Sequence, residues 1–202
     1  MTVNLKVNAQ SKRLFRAFAL ATALAAAAPA CATDVKPMFK VGADFGGDEL
    51  VTVTFTSGDT RTIHANDGLF LGGGVSILND ARDLEAEISL SFKFDTISAS
   101  NGDVTWSRWP LDALLFYRLP SMRLGGGLTY HINPELKGSG AVGNIFDKFD
   151  DALGIILQAD YSISERHHIG VRYTSIEYKL NAPGLQGTAK SNGLGLVFSA
   201  SF

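Results

Sequence analysis

Along most of this chain, apolar and polar residues alternate one for one. Segment 84–97 sets Leu84, Ala86, Ile88, Leu90, Phe92 and Phe94 on one side and Glu85, Glu87, Ser89, Ser91, Lys93 and Asp95 on the other. Segment 151–162 sets Leu153, Ile155, Leu157, Ala159 and Tyr161 against Gly154, Ile156, Gln158, Asp160 and Ser162. In 122–132, Leu124, Leu128 and Tyr130 oppose Gly125, Gly127, Thr129 and His131. A period of two marks a strand with two unlike faces. The pattern predicts eight such strands: 38–46, 68–78, 84–97, 106–118, 122–132, 151–162, 167–179 and 192–202. No helical spacing of apolar residues occurs after residue 32.

The connections alternate in length. Those at 79–83, 119–121 and 163–166 are short. Those at 47–67, 98–105, 133–150 and 180–191 are longer and rich in Gly, Ser, Asn and Asp. A soluble sandwich also has one apolar and one polar face, but three features favour a membrane barrel. The apolar stripes run about 9–11 residues, the reach of a tilted membrane strand, whereas soluble strands average nearer 5–6. The polar faces are rich in small residues, which suit a narrow filled lumen. Phe39, Phe45, Phe94, Trp109, Tyr117, Tyr130, Tyr161 and Tyr173 fall near the ends of stripes, as interfacial girdles require. Lipid tolerates no unpaired sheet edge, so the sheet must close. The predicted fold is all-β: an eight-stranded antiparallel up-and-down transmembrane β-barrel with short periplasmic turns and long extracellular loops.

Two registers follow from the turns. In 47–67, Val51–Thr56 and Thr60–His64 flank Ser57-Gly58-Asp59 as a hairpin, each arm too short to cross a bilayer. The hairpin is expected to prolong the first two barrel strands, with Phe45 opposite Gly72 and Val41 opposite Ser76. Gly46, Gly47 and Gly68 would permit bends. A turn at Asn101-Gly102 would set Glu85 opposite Arg118 and Asp95 opposite Arg108. Pro110 cannot donate a ladder bond and is expected to interrupt that pairing.

The first 32 residues differ from the rest. Lys6, Lys12, Arg13 and Arg16 precede the apolar run Ala17–Ala28, and Ala30-Cys31-Ala32 follows as a small-x-small cleavage site. That order predicts a cleaved signal peptide over 1–32, with Ala30 and Ala32 at the cleavage site, and a barrel over 33–202. Cys31, the single cysteine, is either lipidated or removed with the leader. Four of the 18 basic residues lie in the leader and none of the 20 acidic ones, leaving 14 against 20 and a net charge of −6. That balance argues against nucleic acid as a partner. No later apolar run reaches the length of a transmembrane helix.

The charged residues on the small-residue faces are Lys40, Asp44, Glu85, Glu87, Lys93, Asp95, Arg108, Asp112, Arg118, Asp160 and Arg172. Inside an eight-stranded barrel such groups must pair or stay wet. They form either a salt-bridged plug, which is the expectation, or a polar pathway. Among the histidines His64, His131, His167 and His168, only His131 has a placement suited to catalysis. Outer-membrane lipid A deacylases carry a Ser two residues after the catalytic His, and that position is Asn133 here, so Asn133-Pro134 is expected to end the strand instead. His167 and His168 face opposite ways and cannot share a metal. Gly72–Gly74 and Gly125–Gly127 precede no helix and are no phosphate loops. Asp147–Asp151 lacks the spacing of a calcium loop. No cofactor or metal site is expected.

The closing run Leu196-Val197-Phe198-Ser199-Ala200-Ser201-Phe202 ends on an aromatic, with apolar residues at alternating positions before it. Together with the leader and the eight segments, it completes a family pattern. The chain resembles the small outer-membrane β-barrels of Gram-negative bacteria, the OmpA-like and OmpX-like barrels. That resemblance implies a place in the cell outer membrane with both termini periplasmic. It implies that Phe198 and Phe202 belong to an insertion signal for the barrel-assembly machinery. The expected partners are outer-membrane lipid and lipopolysaccharide, and loop 47–67 is the candidate contact surface for an extracellular protein. No catalytic residues transfer from the resemblance, and the expected role is structural or surface-interaction, without catalysis. A narrow porin-like channel for small polar solutes and a lipid A-modifying hydrolase stand as alternatives.

Overall fold

The computed structural model describes residues 32–55, 57–99, 102–140, 145–180 and 187–202. Residues 1–31 of the expected leader, including Ala30 of the expected cleavage site, lie outside the described residues, and Ala32 opens the first strand. The strands are β1 (Ala32–Gly46), β2 (Glu49–Thr54), β3 (Thr60–His64), β4 (Gly68–Asn79), β5 (Leu84–Ala99) and β6 (Gly102–Arg118). They continue as β7 (Met122–Gly140), β8 (Ile145–Lys148), β9 (Ala152–Ser162), β10 (His167–Lys179), β11 (Thr188–Lys190) and β12 (Gly193–Ser201). β1, β4, β5, β6, β7, β9, β10 and β12 each pair antiparallel with the next, and β12 pairs back onto β1 from Met38↔Ser201 to Gly46↔Gly193. The expected eight-stranded closed barrel is thus the observed one. Closure removes every edge from the wall.

The expected faces also hold. Leu69, Leu71, Leu115, Leu124, Leu157 and Leu196 are exposed on the outer wall, and with their neighbours they form a continuous apolar belt. Aromatics border it at both levels. Phe45 and Tyr173 both pair with Leu194 toward the long loops, while Tyr117 pairs with Leu84 and Tyr161 with Met122 near the short turns. The short turn after β4 is tied by Asn79, whose Oδ1 accepts from the Asp83 and Leu84 amides, and Arg82 takes φ 59°. Beyond the belt, on the long-loop side, β5 to β7 rise above the remaining wall, and β8 and β11 extend it beside β7 and β10. This rim encloses an apolar cluster that includes Ile63, Ile97, Trp106, Leu136, Ile176 and Tyr178.

Three expectations are corrected. First, the hairpin does not prolong the barrel strands. β2 and β3 form a separate two-stranded sheet, and β1 pairs β4 as Val41↔Leu71 and Asp44↔Gly68. The predicted Val41–Ser76 pairing would have set a lipid-facing residue against a buried one. Gly46, Gly47 and Gly68 take φ of 106°, 90° and 145°, which breaks the ladder and folds the hairpin back over the barrel mouth. Second, β5 and β6 pair as Glu85↔Phe116, Lys93↔Arg108 and Asp95↔Trp106, two residues from the expected register. A slip of two keeps every side chain on its expected face. Third, Asn133-Pro134 does not end its strand. β7 continues to Gly140, and Asn133 (φ 51°) inserts an extra residue where Ser107 pairs Glu135 and Trp109 pairs Ile132. In such a bulge the missing amide of Pro134 breaks no ladder bond.

Candidate functional site

The barrel interior holds two tiers of charge and a lid. The tier nearer the short turns centres on Arg123, the first inward residue of β7. Its Nε donates to Asp160 Oδ2 at 2.8 Å, its Nη2 to Ser199 Oγ at 2.9 Å, and its Nη1 stands 3.0 Å from Glu85 Oε1. Nη1 also contacts Glu87, whose other oxygen lies 3.1 Å from Lys40 Nζ. The guanidinium packs 4.2 Å from the centre of the Phe116 ring. Ser76 Oγ donates to Glu85 at 2.6 Å, and Arg118 bonds the remaining oxygen at 2.8 Å from the short-turn mouth. Glycines on this face let neighbouring backbones approach closely. A Cβ on Gly74 would overlap the Ile88 carbonyl oxygen, and one on Gly127 would overlap that of Ala113.

The upper tier is built on Asp44. Lys93 Nζ lies 2.6 Å from its Oδ2, and Arg172 Nε lies 3.7 Å from its Oδ1. Arg172 Nη1 reaches Asp112 Oδ2 at 3.4 Å, and Thr129 Oγ1 donates to the other oxygen of Asp112 at 2.6 Å. Above it sits the folded-back segment 65–67. Lys93 donates to Asn66 Oδ1 at 3.2 Å, and Arg108 Nη2 donates to the Asn66 and Asp67 carbonyls at 3.0 and 2.9 Å. Trp106 Nε1 donates to the Ala65 carbonyl at 3.0 Å.

Nine of the eleven expected lumen charges lie buried in this arrangement: Lys40, Asp44, Glu85, Glu87, Lys93, Arg108, Asp112, Asp160 and Arg172. Arg118 closes one mouth. Asp95 is the exception, half-buried at the rim and bonded through Oδ1 to the Thr96 amide at 2.9 Å, so the expected Asp95–Arg108 pair does not form. The expected Glu85–Arg118 contact does form, as a diagonal rather than a directly opposite pair. Lys93 and Arg108, which the true register sets opposite each other, turn to Asp44 and to the hairpin carbonyls.

The residue with the most partners was not among those expected inside. Arg123 shares parity with Gly125 and Gly127, the signal that should have placed it there. Asn66 carries no periodic signal, because a loop delivers it. His131 is buried with Nδ1 hydrogen-bonded to the Tyr178 hydroxyl. Among the described residues no Ser or carboxylate hydrogen-bonds to His131. His167 is exposed and bonded to Ser164, whereas His168 is buried and bonded to Ser162, on opposite faces as expected. Among the described residues no cluster of His, Cys, Asp and Glu is arranged to hold a metal.

No protein-family model and no curated protein sequence matches this chain. Solved structures do. Ail, the attachment invasion locus protein of Yersinia pestis, in complex with the heparin analogue sucrose octasulfate, is similar over 83% of this chain and 97% of its own, at 11% identity and TM-score 0.55. A second Ail structure covers 83% and 96% at 10% identity and TM-score 0.54. Such low identity speaks to architecture alone: this chain has the fold of the small eight-stranded outer-membrane barrels.

Proposed function

We propose that the protein is an outer-membrane barrel that carries no solute pathway and presents its long-loop rim to a partner outside the cell. The Arg123 hub supports this reading most. It joins β7 to β5 and β12 across the lumen and to its neighbour β9 along the wall. The Asp44 tier and Asn66 lie above it, so three successive layers of side chains fill the bore. Opening a path would separate buried ion pairs, each costly to break.

The apolar belt and its aromatic borders support a place in a bilayer, with the short turns and both ends of the barrel wall on the periplasmic side. Phe202, exposed beside the β1–β12 seam, is available to assembly machinery there. The rim segments 47–67, 95–107, 133–151 and 175–192 hold eleven Asp and Glu against five Lys and Arg. Such a rim selects a cationic partner surface. In this it differs from what a sulfated sugar, such as the heparin analogue bound to Ail, would seek.

Planar-bilayer recording on pure refolded protein tests the sealed lumen. No steady unitary current is expected, and steady currents would make the protein a channel. Binding of the rim to a cationic peptide should weaken steeply with salt.

A further inference from the structure

A cavity of about 330 Å³ opens on the outer wall where the belt meets the rim. It exists because neighbouring strands end at different heights. β4 starts at Gly68, and its ladder with β5 ends at Leu69↔Phe94. β5 runs on to Ala99, and β3 leans across the gap without pairing to it. The floor is apolar: Ala43, Phe45 and Leu69, the last two about 60% and 59% exposed and continuous with the belt. The upper wall is polar: Arg61, Asp67 and Asp95.

The charges in this wall are not paired with one another. Asp67 is occupied, since Oδ1 accepts from the Gly46 amide at 2.8 Å and Oδ2 from the His64 amide at 2.9 Å. Asp95 uses one oxygen on the adjacent Thr96 amide. The Arg61 side chain is exposed and makes no ion pair or hydrogen bond among the described residues. A cation and an anion therefore share one cavity, directly above an apolar floor, without pairing.

We infer that this notch is a binding site for an outer-leaflet lipid whose headgroup carries both a phosphate and an ammonium, phosphoethanolamine being the smallest such group. The phosphate meets the planar donors of Arg61. The ammonium meets the free oxygen of Asp95, and the first part of an acyl chain lies on Phe45 and Leu69. A lone phosphate fits less well, because Asp67 and Asp95 repel it. The inference rests on the bilayer placement proposed above, which sets this level of the wall at the lipid headgroups.

The test is a titration of dodecanoyl lysophosphatidylethanolamine into the isotope-labelled protein in dodecyl maltoside micelles, followed by amide NMR. Saturable shifts are expected at Leu69, Thr96 and their neighbours. Arg61→Gln and Asp95→Asn should each weaken binding about tenfold, and Arg61→Lys should weaken it less. Arg61 is exposed and Asp95 is half-buried at the rim, outside the lumen network, so the variants keep the fold. Shifts spread round the belt without saturation, equal shifts with phosphoethanolamine alone, or indifference to both variants would each overturn the site while leaving the barrel in its bilayer. Recovery of the folded chain without detergent would instead remove the bilayer placement, and the site with it.

Discussion

Arg123 donates to the hydroxyl of Ser199 at 2.9 Å, which joins β7 to β12 across the lumen rather than along the wall. The same guanidinium holds Glu85, Glu87 and Asp160. Arg123→Met should leave these buried carboxylates short of a counter-charge and cost about 3–5 kcal/mol. The urea midpoint, read from the heat-dependent gel shift of the folded barrel, checks this. A loss below about 1 kcal/mol would mean that the hub is not holding the wall together.

Adjacent glycines should behave differently. A Cβ at Gly74 points inward and overlaps a backbone oxygen, so Gly74→Ala should prevent the compact folded band. Gly73 faces outward, and its nearest neighbour to such a Cβ is the Met38 oxygen at 3.2 Å. Gly73→Ala should retain the band. Equal behaviour of the two variants would contradict the facing assignment.

Leu157 lies mid-belt and is 58% exposed. Leu157→Arg should destabilise the barrel by about 2–4 kcal/mol in lipid vesicles. Unchanged stability there would place the belt outside the hydrocarbon.

The hairpin is pinned by Trp106. Trp106→Phe keeps an aromatic ring but leaves the buried Ala65 carbonyl without its donor, at a local cost of about 1–3 kcal/mol. Hydrogen exchange at the Ala65 amide, which donates to the Asp48 carbonyl, should accelerate while exchange in β9 does not.

On the outer rim, burial of Glu135 favours its neutral form, but hydrogen bonds from Lys137 and Lys148 outweigh it and hold the carboxyl below its ordinary 4.5. A lowered folded value means the unfolded chain binds the proton more readily. The contribution of this group is therefore present above about pH 4.5 and lost as pH falls through the lowered value. The difference in urea midpoint between the parent and Glu135→Gln should be seen at neutral pH and shrink in acid.

The wall was legible because two solvents imposed it. An apolar exterior and a lumen with room only for small or paired side chains leave a period of two that survives any single substitution. Registers were less legible. They depend on where each turn centres, and an odd-numbered slip in the pairing expected about Gly58-Asp59 reversed the parity between Val41 and its partner. At the β5–β6 turn the slip was even, so Glu85 and Lys93 kept their faces while changing their opposites. Asn66 and Trp106 stayed hidden for another reason. The contacts of Asn66 with Lys93 and of Trp106 with the Ala65 carbonyl depend on three glycines with positive φ turning a hairpin back over the mouth, a three-dimensional event without a linear period. Asn133-Pro134 misled because a bulge and a strand end use the same residues.

The seam between β1 and β12 sets Met38 against Ser201, 163 residues away along the chain. No subset of the wall can close without it, so every partly made barrel carries two open edges. Closure joins the strands farthest apart in sequence and waits on all those between them, which makes it late and slow. Until then the chain is a half-built sheet whose unpaired edges are open to wrong partners. Its vulnerability lies in the time before the last strand arrives, and mutations that weaken Phe39↔Ala200 or Lys40↔Ser199 should show first as lost yield rather than as lost stability.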